Sequence, residues 1–169
     1  MKKYKLIKKD YITLPNGTKL YRIQAMCDFG SVKKEEIGGY VESKNNLSHD
    51  GLCWVSCDAW VSGNARVSGN AWVSGDAWVS GNAWVSGNAM VSGNARVSGN
   101  AWEKSPLYIQ GTKAPLTNCK YGYIQIGCIC KTIKDWEKDY KKIGEKNGYS
   151  DSEIKEYGEY IKLFKKVGK

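Results

Sequence analysis

Three sets of residues have the types and spacing that chemistry could use. The first is the single histidine, His49, with Cys53 and Cys57 following at steps of four. The second is Cys119 with Cys128 and Cys130. Thiol–imidazole zinc sites are built from tight pairs such as C-x2-C, and neither set has that spacing. Cys53 falls where a downstream six-residue repeat carries Ala, and Cys57 falls where it carries Gly. Cys128 and Cys130 alternate with Ile124 and Ile126, on one face of a strand expected over Tyr121 to Cys130. A buried thiol packs as a small hydrophobe, so Cys53, Cys128 and Cys130 read as core and Cys57 as a turn residue, and neither metal nor cofactor is expected. His49 is the residue type that usually carries a proton in catalysis, but it precedes the repeat and reads as a turn residue. No P-loop, G-x-S-x-G or paired-carboxylate site can be placed, so no catalytic residue is assigned. The third set is a row at intervals of six: Trp54, Trp60, Arg66, Trp72, Trp78, Trp84, Met90, Arg96 and Trp102. Indoles stack on nucleobases and guanidinium groups hold phosphate, so the tryptophans and arginines of this row are the candidate interface or ligand surface.

The element that must position that row is written around it. From Val55 to Trp102 the chain reads V-S-[GC]-[ND]-A-x eight times. A period of six suits short strands joined by tight turns, not helical repeats. Alternation in A-x-V-S puts Ala and Val on one face, x and Ser on the other. Gly followed by Asn or Asp makes the turn, since both tolerate positive φ. Three such edges close a triangle with Val and Ala inside and x outside. Residues 18 apart then stack: Trp54, Trp72 and Met90; Trp60, Trp78 and Arg96; Arg66, Trp84 and Trp102. Each Trp can bury roughly 150–250 Å², and a lone soluble chain rarely leaves so much aromatic surface bare. The flanks or a symmetric copy are expected to cover it, which predicts a homo-oligomer, a dimer or trimer.

The flanks have their own signals. Residues 4–27 read as a β-hairpin turning at Pro15-Asn16-Gly17, and degenerate coils are expected from Ile37 to Cys53. Thr132 can cap a helix carrying Ile133, Trp136, Tyr140 and Ile143, ended by Asn147-Gly148. Ser150 and Glu153 form a capping box for a second helix with Ile154, Tyr157, Ile161 and Phe164 on one side. The expected organisation is 1–36 hairpin and lead-in, 37–104 repeat, and 105–169 C-terminal strand with αα-hairpin.

Charge divides unevenly over the 169 residues. The net charge is +9, from 26 Lys and Arg against 17 Asp and Glu, and the excess lies in the flanks. A lysine-rich face is usually solvated, while contact with nucleic acid is the functional alternative. With so few arginines, base-specific readout is disfavoured. No apolar run approaches a membrane span, and the basic N-terminus lacks a leader's apolar stretch. A cytoplasmic protein without membrane association is expected.

The V-S-G-N-A-W array resembles the hexapeptide-repeat superfamily of left-handed parallel β-helices, best known for trimeric acyltransferases. Ile37-Gly38-Gly39-Tyr40-Val41-Glu42-Ser43, Asn46-Leu47-Ser48 and Cys53-Trp54-Val55 look closer to small hexapeptide-repeat proteins of phages and prophages. The tail Ile126-Gly127-Cys128, Thr132-Ile133, Trp136, Gly148-Tyr149-Ser150 and Tyr157 is similar to C-terminal modules of those proteins. The expected fold is therefore mainly β: a short left-handed parallel β-helix with an N-terminal β-hairpin and a C-terminal strand plus two-helix hairpin. The resemblance implies a non-enzymatic phage-type binding protein that occupies a host protein or nucleoprotein complex, such as a CRISPR-type defence complex. A minimal acyltransferase and a nucleotide-sequestering protein are the alternatives. The acyltransferase reading is weakened because no loop interrupts 55–102 and His49 lies outside the array.

Overall fold

The computed structural model describes residues 2–99, 101–102 (main chain only) and 105–168. The chain divides into two compact units: Met1–Asn94 with Ser98–Ser105, and Pro106–Lys169 with Ala95–Val97.

The first unit starts with an antiparallel hairpin, β1 (Tyr4–Thr13) and β2 (Lys19–Ala25), whose second strand pairs with β3 (Ile37–Val41). From β3 the chain winds into a parallel β-solenoid of three faces. Its short strands are β4 (Trp54–Val55), β5 (Trp60–Val61), β6 (Arg66–Val67), β7 (Trp72–Val73), β8 (Trp78–Ser80), β9 (Trp84–Val85), β10 (Met90–Val91), β11 (Arg96–Ser98) and β12 (Ala101–Trp102). Pairing follows the repeat: Trp54 with Trp72, Trp60 with Trp78, Arg66 with Trp84, Trp72 with Met90. Tyr40 pairs with Trp60 and Leu47 bridges Val67, so the first coil is two residues longer, and the surplus falls in the Ser48–Leu52 turn that carries His49. The inward Val and Ala side chains from Val55 to Val97 are at most 1% exposed. This interior is filled as the alternation requires.

Two details depart from the sequence reading. Positive φ falls on the turn glycines, from 62° to 72° over Gly63–Gly99, and on Cys57, at 56°, which stands at the same place in the first repeat; no described turn Asn or Asp shares it. From Ser56 to Ala89 each turn is closed by the N–H of Ala onto the Ser carbonyl three residues back, as from Ala65 to Ser62. That places Gly second and Asn third, so positive φ is needed at the second position alone. Asn instead bonds along the column: Asn64 Nδ2 donates to Asn82 Oδ1 and Asn70 Nδ2 to Asn88 Oδ1, both at 3.2 Å. The second departure is at β12, where Ala101 faces Trp84 and Trp102 faces Val85. The main-chain register thus puts Trp102 one residue out of the Arg66–Trp84 column. The repeat stops there in the sequence, where Glu follows Trp102 in place of Val.

The second unit is an antiparallel meander, β13 (Tyr108–Gln110), β14 (Pro115–Lys120), β15 (Tyr123–Ile126) and β16 (Ile129–Thr132), with helices α1 (Ile133–Lys146) and α2 (Asp151–Val167). The single strand expected over Tyr121 to Cys130 is two strands. Gly127, at φ 56°, turns the chain between them. Ile124 and Ile126 enter the core with Leu116, Trp136, Ile161 and Phe164. Cys128 falls in the turn and Cys130 pairs opposite Gln125, and both are exposed, so they leave the apolar face. The helix signals hold: Thr132 Oγ1 accepts from Asp135 N at 3.0 Å, and Ser150 and Glu153 form the capping box. Among the described residues no helix is long and apolar enough to cross a membrane.

Candidate binding surface

The row of variable residues splits three ways. Trp54 is fully buried. The edges of Tyr4 and Phe29 pack on it with ring centroids at 6.5 and 5.3 Å. A Cβ on Gly38 would stand 2.6 Å from the indole, so the N-terminal segment closes over this ring only because Gly is there. Its Nε1 has no partner among the described residues. Trp54 is core, not surface.

Trp60 and Trp78 meet edge to face at 5.3 Å. They pack against Leu14, Leu20 and Tyr40 of the hairpin and first coil. Arg22 closes this side: its Nη2 donates to Tyr40 Oη at 2.7 Å and to Asp58 Oδ1 at 3.1 Å. The hairpin thus covers one of the three predicted columns, and both indoles are half-buried.

The third group faces outward. Trp72 is half-buried, Trp84 is 51% exposed and Met90 57% exposed. Arg66, register partner of Trp84, is exposed, as is Arg96. The side chain of Trp102 lies outside the described residues. Trp72, Trp78 and Trp84 each donate the indole N–H to the serine sixteen residues back, Ser56, Ser62 and Ser68, at 3.1, 3.5 and 2.9 Å. The hydroxyl of one coil therefore fixes the indole of the next. At 2.9 Å the Trp84–Ser68 bond is the shortest, so the most exposed ring is also held.

The groups that could do chemistry lie elsewhere. Cys119 is buried with its Sγ 3.0 Å from Cys130 Sγ. Burial first, then that contact, pushes its thiol up to about 12, which keeps it protonated at neutral pH. Among the described residues no group of three or more His, Cys, Asp or Glu side chains could hold a metal ion. His49 stacks on Tyr4 at 4.4 Å, and its Nδ1 accepts from the main-chain N–H of Lys3 at 3.2 Å. Tyr4 donates to the Leu47 carbonyl at 2.8 Å, and burial raises its hydroxyl above the ordinary range. Lys3, only 4% exposed, donates to the carbonyls of Gly51 and Cys53. The sequence gives no sign of this cluster beyond His49 and Cys53, because Lys3 stands in an ordinary run of N-terminal lysines. The second unit holds a cavity of about 250 Å³ between its sheet and helices, lined by Trp136, Tyr140, Tyr149 and Tyr157 with Lys113 and Cys128. Tyr157 Oη ties its wall together, accepting from Lys113 N and donating to the Ala114 carbonyl.

A family model described as the YdcK beta-solenoid repeat matches residues 59–75, 83–99 and 89–104. The likeness is thus confined to the coils. No curated protein matches the chain.

Proposed function

We propose that the protein is a non-enzymatic binding protein of phage type, which acts by occupying a host macromolecule through the outer side of its solenoid. The target class we favour is a nucleoprotein defence complex. The observation that carries this reading is the Arg66–Trp84 pair, an exposed indole beside an exposed guanidinium on one rigid face, with Met90 exposed on the next. Aromatic and Arg side chains are the usual anchors of interfaces, and an anchor already held in place loses less freedom on binding. Trp84 has that support from Ser68. A guanidinium beside it suits phosphate or carboxylate on the partner.

The test is capture of partners from host lysate, with mass spectrometry of proteins and nucleic acids, by the native chain and by Trp84→Ala and Arg66→Ala. The native chain should retain a partner that both variants lose at unchanged melting temperature. Losing an anchor typically costs 2 kcal/mol or more, roughly 30-fold in affinity. A partner kept equally by all three forms would overturn the assignment of the surface. Light scattering on the purified chain shows whether a second copy already occupies that side.

A further inference from the structure

Lys3 is the least ordinary residue of the first unit. Charged side chains are almost never buried without a counter-charge, yet its ammonium meets no carboxylate among the described residues. Its three N–H donors are spent on the Gly51 carbonyl at 3.2 Å, the Cys53 carbonyl at 2.9 Å and the Cys53 thiol at 3.3 Å. Cys53 is itself fully buried. It stands at the inward position that the next eight repeats fill with Ala. The coil needs only a small apolar group there, so the sulfur is surplus to packing. What it adds is a polarizable atom that accepts from a buried nitrogen and donates to the carbonyls of Ser48, Val67 and Asp50 at 3.5, 3.6 and 3.7 Å. No other thiol lies close enough to compete in a hydrogen bond: among the described residues Cys119 and Cys130, in the second unit, are the only paired thiols.

We propose that Lys3 and Cys53 are an oxidation-dependent modification site, joined through one oxygen atom as a Lys Nζ–O–Sγ Cys bridge when the cell meets peroxide. In the first step the Cys53 sulfur attacks one oxygen of hydrogen peroxide. The S–O bond forms, the O–O bond breaks, and water leaves, giving the sulfenic acid. A second peroxide takes two further electrons as the N–O bond forms, with Lys3 giving up its protons. The net reaction is Lys-NH3+ + HS-Cys + 2 H2O2 → Lys-NH-O-S-Cys + 3 H2O + H+. Sulfur and nitrogen lose two electrons each, and the two peroxides take four. Excess thiol reduces the bridge and restores both side chains.

Buried surroundings favour this outcome over further oxidation. The sulfenic oxygen would emerge beside an amine already held at hydrogen-bond distance, so intramolecular capture competes with a second attack on sulfur. The bridge would tie the chain's start to the first coil. It would thereby pin Tyr4 and Phe29 over Trp54, and it removes freedom from the unfolded chain as any cross-link does. This site is independent of what the solenoid surface binds.

The folded, reduced protein is treated with hydrogen peroxide, digested, and sequenced by mass spectrometry. The expected product is one species joining the segment with Lys3 to the segment with Cys53. It should be heavier than the two together by one oxygen and lighter by two hydrogens, and should disappear with dithiothreitol. It should be absent from Cys53→Ala, which places the repeat's own residue in the coil and should fold. The bridged native protein should melt higher than the reduced form, and Cys53→Ala should show no such rise. Recovery of Cys53 as thiol, sulfinic acid or a disulfide, with the Lys3 segment unmodified in protein that keeps its circular dichroism, overturns the proposal. So does a link lacking the oxygen.

Discussion

Trp72 donates its indole N–H to the hydroxyl of Ser56, sixteen residues earlier and one coil below, at 3.1 Å. The same offset joins Trp78 to Ser62 and Trp84 to Ser68. It gives the outward Ser of the repeat a purpose that alternation alone does not. Trp54, packed against Gly38, has no such serine, and its indole N–H is without a partner among the described residues. Met90 stands sixteen residues beyond Ser74 and carries no donor. Ser56→Ala should therefore lower stability by about 0.5–1.5 kcal/mol, the usual worth of such a bond, and Ser74→Ala should change it by less than about 0.5. Chemical denaturation of the two variants checks this. Equal losses would show that the serines act through the turns, not the indoles.

The turns make a second contrast. Gly69 and Gly81 both sit at positive φ, 65° and 62°. A Cβ on Gly69 would lie 3.0 Å from Gly87 N, whereas on Gly81 nothing comes closer than 3.8 Å. Gly81→Ala should cost about 1–2 kcal/mol for the left-handed backbone alone, and Gly69→Ala more. Asn82→Val removes one exposed hydrogen bond from Asn64 and should cost less than about 1 kcal/mol. Melting midpoints that rank Asn82→Val as the worst of the three would return the positive-φ role to Asn.

Three tryptophans of one row should behave differently. Trp54→Ala empties a fully buried site under Tyr4 and Phe29 and should cost about 3–5 kcal/mol. Trp78→Ala should fall between, because it removes half of the Trp60 pair and its contact with Leu14, Leu20 and Tyr40. Trp84→Ala leaves the interior untouched and should cost under about 1 kcal/mol. Urea titrations give the order directly, and a Trp84 variant as unstable as Trp54→Ala would mean the outer rings are structural.

These contrasts mark how far the sequence could be read. The inward Val and Ala columns were legible because the period of six leaves only one face for them. The caps at Thr132 and at Ser150–Glu153 were legible because the residues that satisfy a helix start lie within three of each other. The burial of Trp54 was not, since Phe29 and Tyr4 lie 25 and 50 residues away in stretches without a repeat. The strand Pro115–Lys120 was hidden because four consecutive residues, Leu116 to Cys119, are buried, so it shows no alternation. Gly127 was hidden inside an apolar run that reads as one continuous strand. Of the candidate surface, the sequence supplied the row, but not which members the hairpin would cover.

The last prediction concerns acid. Burial, with Lys3, Lys44 and Lys2 adding to it and Asp50 opposing, holds His49 below its ordinary 6.5. The unfolded chain therefore takes up this proton at higher pH than the folded chain does. The stabilisation is full above 6.5 and is lost as pH falls through the folded value. Protonation would also put a proton on Nδ1, the atom that accepts from Lys3 N, and so loosen the segment over Trp54. The carboxylates of Glu153 and Glu156, held below 4.5 chiefly by the Ser150 N–H and the Thr112 hydroxyl, act in a lower window. Their contribution is lost only as pH falls below 4.5. Stability should thus already decline as pH falls below 6.5 in the native chain, above the 4.5 below which the carboxylates contribute to the loss. His49→Gln keeps an acceptor for Lys3 N and does not titrate, so its melting midpoint should stay level over that interval. A variant that loses stability there as steeply as the native chain would show that His49 is not the group responsible.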